Sequence, residues 1–179
     1  MKSYYIEDFT DKSTYIEFIR YMLSHSDYFS FVCFKYKESE RTKRSTKEVL
    51  DLLKPYREYA KNVNEWPGNM TLNENNHIYR LFMYSATSEA ISALSKADRI
   101  YDWDYPKFPM DLAFYKDGYA WFESVSHERW NSLYTADMAV IDDLKQLGVD
   151  VIFNREVDES TLFNISKSKV WGYADKWRL

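Results

Sequence analysis

The chain has 179 residues, a formal net charge of −4 and 18% aromatic residues, with only four Gly and four Pro. Disordered chains show the opposite composition, so we expect one compact domain spanning residues 1–179. The negative charge argues against general affinity for nucleic acid, because that affinity comes from Lys and Arg neutralising phosphates. Neither a secretory signal nor a membrane-spanning run is expected. The single cysteine, Cys33, favours a reduced, cytoplasmic protein.

The N-terminal part shows one helical pattern and one strand pattern. Thr14 and Glu17 form a capping box, which predicts a helix that ends near His25. The apolar run at residues 28–36, YFSFVCFKY, predicts a central strand that is covered on both faces.

A charged loop then leads to a second predicted helix. Ser45 and Glu48 form its capping box, and Pro55 should kink or restart it. Its expected buried face consists of Val49, Leu52 and Leu53. The helical region should end at residues 66–69, where Pro67 and Gly68 occupy the positions that a type II turn prefers.

The middle of the chain predicts a strand at residues 77–84 and a short helix at residues 85–97. Residues 99–109, RIYDWDYPKFP, contain two prolines that exclude regular structure and aromatic rings that need cover. We therefore expect an ordered loop that packs over the core.

The clearest local signal is a β-hairpin around Asp117-Gly118, within residues 110–134. Asp-Gly accepts the positive φ angles of a type I′ turn, and alternating apolar residues flank it. Phe114 and Trp121, or their neighbours, should pair across the two strands.

The last part of the chain predicts a helix, a strand and a docked tail. Thr135 is the expected N-cap of the helix, with Asp137 in the first turn, and Gly148 should end it. Residues 149–153 predict a final strand. The apolar tail residues should pack back onto the domain; they are Leu162, Phe163, Ile165, Trp171, Tyr173 and Trp177. The element order predicts an α+β fold with a mixed sheet flanked by helices.

The hairpin also carries a resemblance to a known group of proteins. The matching residues are Asp111-Leu112, Phe114-Tyr115, Gly118, Trp121-Phe122, Ser124 and His127-Glu128. They resemble a D-L-x-F-Y, W-F-x-S, H-E hairpin of small uncharacterised proteins of Bacillus-type bacteria, and the resemblance covers about a seventh of the chain. Several such acidic proteins accompany secreted toxins as immunity partners. The resemblance therefore implies a binding protein, and it names no binding residue.

His127-Glu128 invites a metal-binding or general-base interpretation. Zinc hydrolases with an H-E pair need a second histidine four residues on, and position 131 is Asn. We therefore favour a partner-contact or structural role for His127 and Glu128, and we assign no catalytic residue, metal or cofactor. The chain also has neither a G-x-S-x-G elbow nor a glycine-rich phosphate loop.

A second candidate surface lies in the acidic and aromatic residues Asp98, Tyr101, Asp102, Trp103 and Asp104. Tyr and Trp are enriched at interface hot spots, and the carboxylates would steer a basic partner. The alternative is a loop that covers the core while its carboxylates face water.

The preferred hypothesis is a non-enzymatic cytoplasmic protein that binds another protein, as an immunity or antitoxin-like partner of a basic bacterial toxin domain. The first alternative is a small enzyme or ligand-binding domain that uses His127 and Glu128. The second is an RNA-associated factor acting through the basic residues Arg41, Lys43, Arg44 and Lys47.

Overall fold

A computed structural model describes residues 1–34, 44–70 and 79–165 of the chain. The strands in chain order are β1 (Lys2–Ile6), β2 (Tyr28–Phe34), β3 (Arg57–Val63), β4 (Glu65–Trp66), β5 (Asn69–Met70), β6 (Tyr79–Ser85), β7 (Met110–Lys116), β8 (Tyr119–Val125), β9 (Trp130–Thr135) and β10 (Val151–Glu156). The α-helices are α1 (Lys12–Ser24), α2 (Arg44–Leu53), α3 (Ile91–Leu94) and α4 (Met138–Gln146).

Eight of these strands form one sheet in the order β10-β1-β9-β8-β7-β2-β6-β3, while β4 and β5 form a separate hairpin. The predicted α+β class is confirmed. The expected mixed pairing is wrong, because every neighbouring pair in this sheet is antiparallel. Antiparallel neighbours need only short connections, and β7, β8 and β9 follow one another directly in the chain.

Aromatic and aliphatic residues cover both faces of the sheet. Phe29 and Phe31 of β2 join a cluster to which all four helices contribute buried side chains. Val32, the next residue along the strand, points to the opposite face and belongs to a second cluster with Trp66. The helices therefore lie on one face, and the β4–β5 hairpin covers part of the other. The prediction that β2 is central and covered on both sides is confirmed.

The local helix signals place two starts incorrectly. Helix α1 begins at Lys12 with Asp11 as N-cap, whose carboxylate accepts the N–H of Thr14 at 2.9 Å. Helix α2 already contains Ser45, whose hydroxyl donates to the carbonyl of Lys107 instead of capping the helix. Leu52 is 38% exposed, and Thr46 takes a buried position on α2.

Two other helix predictions agree with the structure only in part. Helix α4 uses Asp137 as its N-cap, not Thr135, and it ends before Gly148, which has a φ of 82°. The helix predicted at residues 85–97 is a short 3-10 helix, Ser88–Ala90, that leads into the four residues of α3.

Three strands of the large sheet were not predicted: β1, β3 and β9. The sequence places residues 57–63 in the helical region, yet α2 ends at Leu53, and a 3-10 helix that contains Pro55 leads into β3. Pairing with β6 then gives these residues their extended form. Their sequence, REYAKNV, has little apolar alternation of its own.

The hairpin prediction is confirmed. Asp117 and Gly118 have φ angles of 52° and 82°, as a type I′ turn requires, and they join β7 to β8. Phe114 pairs with Phe122, the neighbour of Trp121. The register shifts after this pair, so that Trp121 turns its indole N–H to the hydroxyl of Ser26 at 2.9 Å.

The end of the described chain docks on the sheet, as expected. Leu162 is buried, while Phe163 and Ile165 pack against the second core cluster. The N–H of Ala120 donates to the carbonyl of Phe163 at 2.9 Å. Trp171, Tyr173 and Trp177 lie outside the described residues. Within the ranges described, no helix has the length and apolar character needed to cross a membrane.

Gly68 allows a direct test of how the β4–β5 hairpin packs. A Cβ at this residue would lie 2.7 Å from Cγ2 of Val125, whereas a Cβ at Gly118 would meet nothing within 4 Å. Both residues have positive φ, so both Ala variants carry the left-handed strain of about 1–2 kcal/mol. We expect Gly68→Ala to lower the free energy of unfolding by about 1–3 kcal/mol more than Gly118→Ala, because it also overpacks the hairpin. Urea denaturation measures this difference, and equal losses would show that the hairpin does not pack closely on β8.

Candidate functional site

The two segments singled out in the sequence meet at one cleft. The 3-10 helix Ile100–Asp102 lies against the 3-10 helix Ser126–Glu128, which connects β8 to β9. The cleft between them has a volume of about 520 Å³, within the range of small-molecule sites. Its lining is almost entirely polar: Asp8, Arg99, Tyr101, Asp102, Asp104, Ser126, His127 and Arg129.

Backbone hydrogen bonds orient the acidic residues of the first segment. Asp102 accepts the N–H of Asp98 at 2.9 Å, and Asp104 accepts the N–H of Tyr105 at 2.8 Å. Each bond uses one carboxylate oxygen and leaves the other available. Asp98 lies outside the cleft, where it is exposed and forms an ion pair with Lys12 at 2.7 Å.

Trp103 does not belong to this surface. It is 0% exposed, its indole N–H donates to the hydroxyl of Tyr15 at 2.9 Å, and its ring packs 4.5 Å from that of Phe31. The prediction that Trp103 contacts a partner is therefore wrong. Trp103 instead covers the core, as expected from the alternative interpretation of this segment as a core-covering loop.

Tyr101 joins the cleft wall to β1 and β9. Its hydroxyl lies 3.2 Å from the hydroxyl of Tyr5 and accepts the side-chain N–H of Asn131 at 3.0 Å. Asn131 is fully buried, and its amide oxygen accepts the N–H of Ile6 at 2.9 Å. Burial is the main reason that the pKa of Tyr101 is raised, so the hydroxyl stays protonated. These hydrogen bonds hold Tyr101 in place in the wall of the cleft.

His127 and Glu128 are both exposed, and His127 Nε2 lies 3.7 Å from Glu128 Oε1. Only His127 lines the cleft. The described residues contain no group of three His, Cys, Asp or Glu side chains suited to a metal ion. His25 instead stacks on Tyr21 with ring centroids 4.0 Å apart, and His77 lies outside the described ranges.

Asp111 forms the buried support of the cleft. It is 3% exposed and adopts a φ of 56°, in the left-handed region that Asp tolerates better than most residues. Its Oδ1 accepts the N–H of Ser126 at 3.0 Å, and its Oδ2 accepts the indole N–H of Trp66 at 2.8 Å and the amide of Asn69 at 3.2 Å. Burial raises the pKa of Asp111, while the bonds from Ser126 and Trp66 oppose this shift.

Asp8 and Arg99 form the remaining charged pair of the cleft, with Asp8 Oδ2 and Arg99 Nη1 3.8 Å apart. Burial raises the pKa of Asp8, and its bond from the N–H of Phe9 and the charge of Arg99 act against that rise. At this distance the pair is a loose contact, so Arg99 can still approach a ligand.

Trp130 is a further surface residue of this region, and no sequence pattern predicts its role. It is 44% exposed, follows Arg129 of the cleft, and its ring lies 5.5 Å from that of Tyr5. Tyr5 in turn touches Tyr101, so an exposed aromatic surface adjoins the charged cleft. The signal available in the sequence was a Trp directly after the polar cluster at residues 126–129.

A second polar cleft, of about 530 Å³, lies on the opposite face between the β4–β5 hairpin and residues 160–164. Glu123 and Arg155 both line this cleft, and Glu123 accepts the hydrogen bond of the Tyr134 hydroxyl at 2.6 Å. Burial raises the pKa of Glu123, although Tyr134 and the N–H of Gly68 lower it in part.

The structure describes two of the four basic residues on which the RNA-associated alternative rests. Arg44 and Lys47 are exposed at the start of α2, while Arg41 and Lys43 lie outside the described residues. The RNA-associated alternative has no further support in the described part of the chain.

Replacing Asp111 tests the support of the cleft. Asp111→Ala leaves the buried N–H groups of Ser126 and Trp66 without their acceptor, and each such group costs about 1–3 kcal/mol. Asp117→Ala is the matched control, because Asp117 has nearly the same φ at an exposed turn. We expect the Asp111 variant to lose about 2–4 kcal/mol more free energy of unfolding in urea. Similar losses would mean that the buried bonds add little to stability.

Glu123 predicts a pH dependence of stability. Its folded-state pKa is raised above the ordinary value of 4.5, so the folded chain holds the proton more tightly than the unfolded chain. Its stabilising contribution is complete below pH 4.5 and is lost as the pH rises through the raised pKa. Relative to the parent, Glu123→Gln should therefore become more stable between about pH 4 and pH 7. Urea denaturation across this range measures the trend, with the exposed Glu7→Gln as control. A difference that does not change with pH would contradict the burial of a titrating Glu123.

Comparison of the chain with protein-family models, with curated proteins and with solved structures found no match.

Proposed function

We propose that this chain is a non-enzymatic protein-binding domain. Its contact surface is the cleft rim, which we define as Tyr101, Asp102, Asp104, His127, Glu128 and Trp130. The observation that carries the proposal is that the two segments on either side of the β7–β8 hairpin, Ile100–Asp102 and Ser126–Glu128, lie side by side, with the exposed Trp130 next to them.

Charge and exposed aromatic area support this use of the rim. Asp102, Asp104 and Glu128 place negative charge where it would draw a basic partner and speed the encounter. Trp130 offers aromatic surface of the kind that forms interface hot spots when it is buried by a partner. The charged groups thus favour association, while Trp130 would slow dissociation.

The nature of the partner is suggested by the resemblance of the hairpin to immunity-like proteins. On that basis we propose that the partner is a basic toxin domain, encoded beside this chain and neutralised by it in the cytoplasm. The rim lies at the end of the hairpin that carries the resemblance, since β8 runs directly into the 3-10 helix Ser126–Glu128.

The alternative is a small enzyme or ligand-binding domain centred on His127. It is favoured by one observation, that His127 shares the cleft with Asp8, Asp102 and Asp104. Metal analysis of the purified protein separates the two proposals. Stoichiometric zinc or manganese that is lost in His127→Ala would favour the enzyme.

Binding kinetics with the product of the neighbouring gene test the main proposal. Asp102→Lys should slow association several-fold and weaken its salt dependence, because a rim charge acts on the encounter. Trp130→Ala should raise the dissociation rate about tenfold or more, as for loss of a hot-spot aromatic. Surface plasmon resonance at two salt concentrations measures both effects.

Tyr28→Ala is the matched control for Trp130→Ala. Tyr28 is 37% exposed and lies beside the hairpin-turn end of β7, where it pairs with Tyr115, away from the cleft. This variant should bind like the parent. If the Asp102 and Trp130 variants remain folded and also bind like the parent, the cleft rim is not the interface. If the neighbouring gene product does not bind the parent chain, the immunity-like role is wrong.

A further inference from the structure

We infer that the β10 edge of the sheet binds a second copy of this chain. Strand β10 of each copy would pair antiparallel with β10 of the other copy across a two-fold axis, with Ile152 opposite Ile152. Among the described residues, β10 has a neighbouring strand on one side only. The inference concerns this edge and does not rest on the proposed function.

The first observation is that exposed apolar side chains gather at this edge. Phe153 is 55% exposed, and Ile152 and Met138 are each 48% exposed. Phe153 and Met138 lie on either side of Tyr4 of β1, whose ring centroid is 5.9 Å from that of Phe153 and whose hydroxyl is 3.5 Å from the sulfur of Met138. Adjacent exposed apolar residues of this kind mark an interaction surface.

The two edges of the sheet differ in their protection against pairing. Strand β3 forms the opposite edge and carries Arg57, Glu58 and Lys61, and none of its apolar residues is among the exposed large hydrophobic ones. Charged side chains on an edge strand discourage pairing with another chain. Residues 151–154 of β10 carry no charge, so this edge lacks the protection that β3 has.

The second observation is the direction of the backbone groups of β10. The N–H of Glu7 donates to the carbonyl of Asp150 at 3.1 Å, so these residues form a hydrogen-bonded pair beside β1 and β10. Such pairs alternate along an antiparallel ladder. Ile152 is therefore the next residue bonded to β1, and the backbone groups of Val151 and Phe153 point to the outer side.

A two-fold axis at Ile152 uses these outward groups fully. It sets Val151 of one copy opposite Phe153 of the other, and each such pair can exchange both of its backbone hydrogen bonds. The side chains that meet across the axis are then apolar on both copies.

The third observation is the charge at the two ends of this stretch. Asp150 and Arg155 are both exposed, and neither forms an ion pair within the described part of the chain. A bulge adds Asn154 to β10, so Arg155 takes the next position in the ladder after Phe153. The same axis therefore sets Asp150 of each copy opposite Arg155 of the other.

This pattern is complementary to itself, as a two-fold contact requires. Apolar residues meet at the centre and opposite charges meet at both ends, which favours a second copy over an unrelated strand. The bulge limits the regular stretch to residues 150–153. The contact is therefore small, and we expect a weak dimer that forms at micromolar or higher concentrations.

Sedimentation velocity of the full chain, from micromolar to near-millimolar concentration, tests the inference. We expect the mass to rise from 21.6 kDa towards twice that value. Amide hydrogen exchange followed by NMR should slow at Val151 and Phe153 as the concentration rises, whereas Ile152 should exchange slowly throughout. A chain that stays monomeric would overturn the inference, as would a dimer that leaves exchange at Val151 and Phe153 unchanged.

Phe153→Asp tests the apolar part of the contact. It should weaken the dimer about tenfold or more, because it places a charge opposite Val151 of the other copy. Leu52→Asp is the matched control, since Leu52 is 38% exposed on α2, which leads towards β3 at the opposite edge. Equal dimerisation of the two variants would contradict the inference.

A charge swap tests the register with substitutions at exposed residues, and it decides the matter even if Phe153→Asp does not fold. Asp150→Arg and Arg155→Asp should each weaken the dimer about tenfold, because each sets like charges against each other at both ends. The double variant restores opposite charges and should dimerise within about threefold of the parent. Single variants that dimerise like the parent, or a double variant no stronger than the single ones, would overturn the inference.

Addition of the neighbouring gene product identifies a different occupant. If the chain alone stays monomeric and that protein slows exchange at Val151 and Phe153, the edge binds the partner and the inference is wrong. A dimer of the chain alone, lost in the single charge variants and regained in the double one, stands whether or not a protein partner binds.

Discussion

The buried carboxylate of Asp111 is the interaction on which the cleft depends. It accepts bonds from the backbone of Ser126, the indole of Trp66 and the amide of Asn69, and so joins the start of β7 to the β8–β9 connection and to the β4–β5 hairpin. Desolvation of such a group is costly, and the three donors offset that cost only while all three segments stay in place. The cleft is therefore rigid on this side, although its surface groups are exposed.

The opposite wall is fixed in a different way, by aromatic packing. Trp103 is buried between Tyr15, Phe31 and Phe108, and it anchors the segment that presents Tyr101, Asp102 and Asp104. Tyr101 adds a polar link to β1 and β9 through Tyr5 and Asn131. The two walls of the cleft are thus anchored independently, one by the hydrogen bonds of Asp111 and the other by the packing of Trp103.

The sheet also separates two polar clefts that differ in character. Among the charged residues that line the cleft between the two 3-10 helices, Arg99, His127 and Arg129 are exposed and Asp8, Asp102 and Asp104 are half-buried, whereas the lining of the cleft on the opposite face includes Glu123, which is hydrogen-bonded to Tyr134. Glu123 already accepts hydrogen bonds within the protein, from Tyr134 and from Gly68.

The sequence by itself determined the features that depend on neighbouring residues. Asp117-Gly118 makes a type I′ turn because both residues accept positive φ, Gly148 ends α4 for the same reason, and the unbroken apolar run of β2 requires cover on both faces. It also singled out both walls of the cleft, as separate segments rich in polar and aromatic residues.

Only the tertiary structure decided which residues of those segments are available and that the segments meet. Trp103 and Trp130 both sit among polar residues, but distant rings bury Trp103, whereas Trp130 keeps an exposed ring beside Tyr5. Strand β3 likewise depends on pairing with β6, because its own sequence lacks a strong pattern. Burial and strand pairing are set by contacts between residues far apart in the chain, and local composition does not encode which contacts will form.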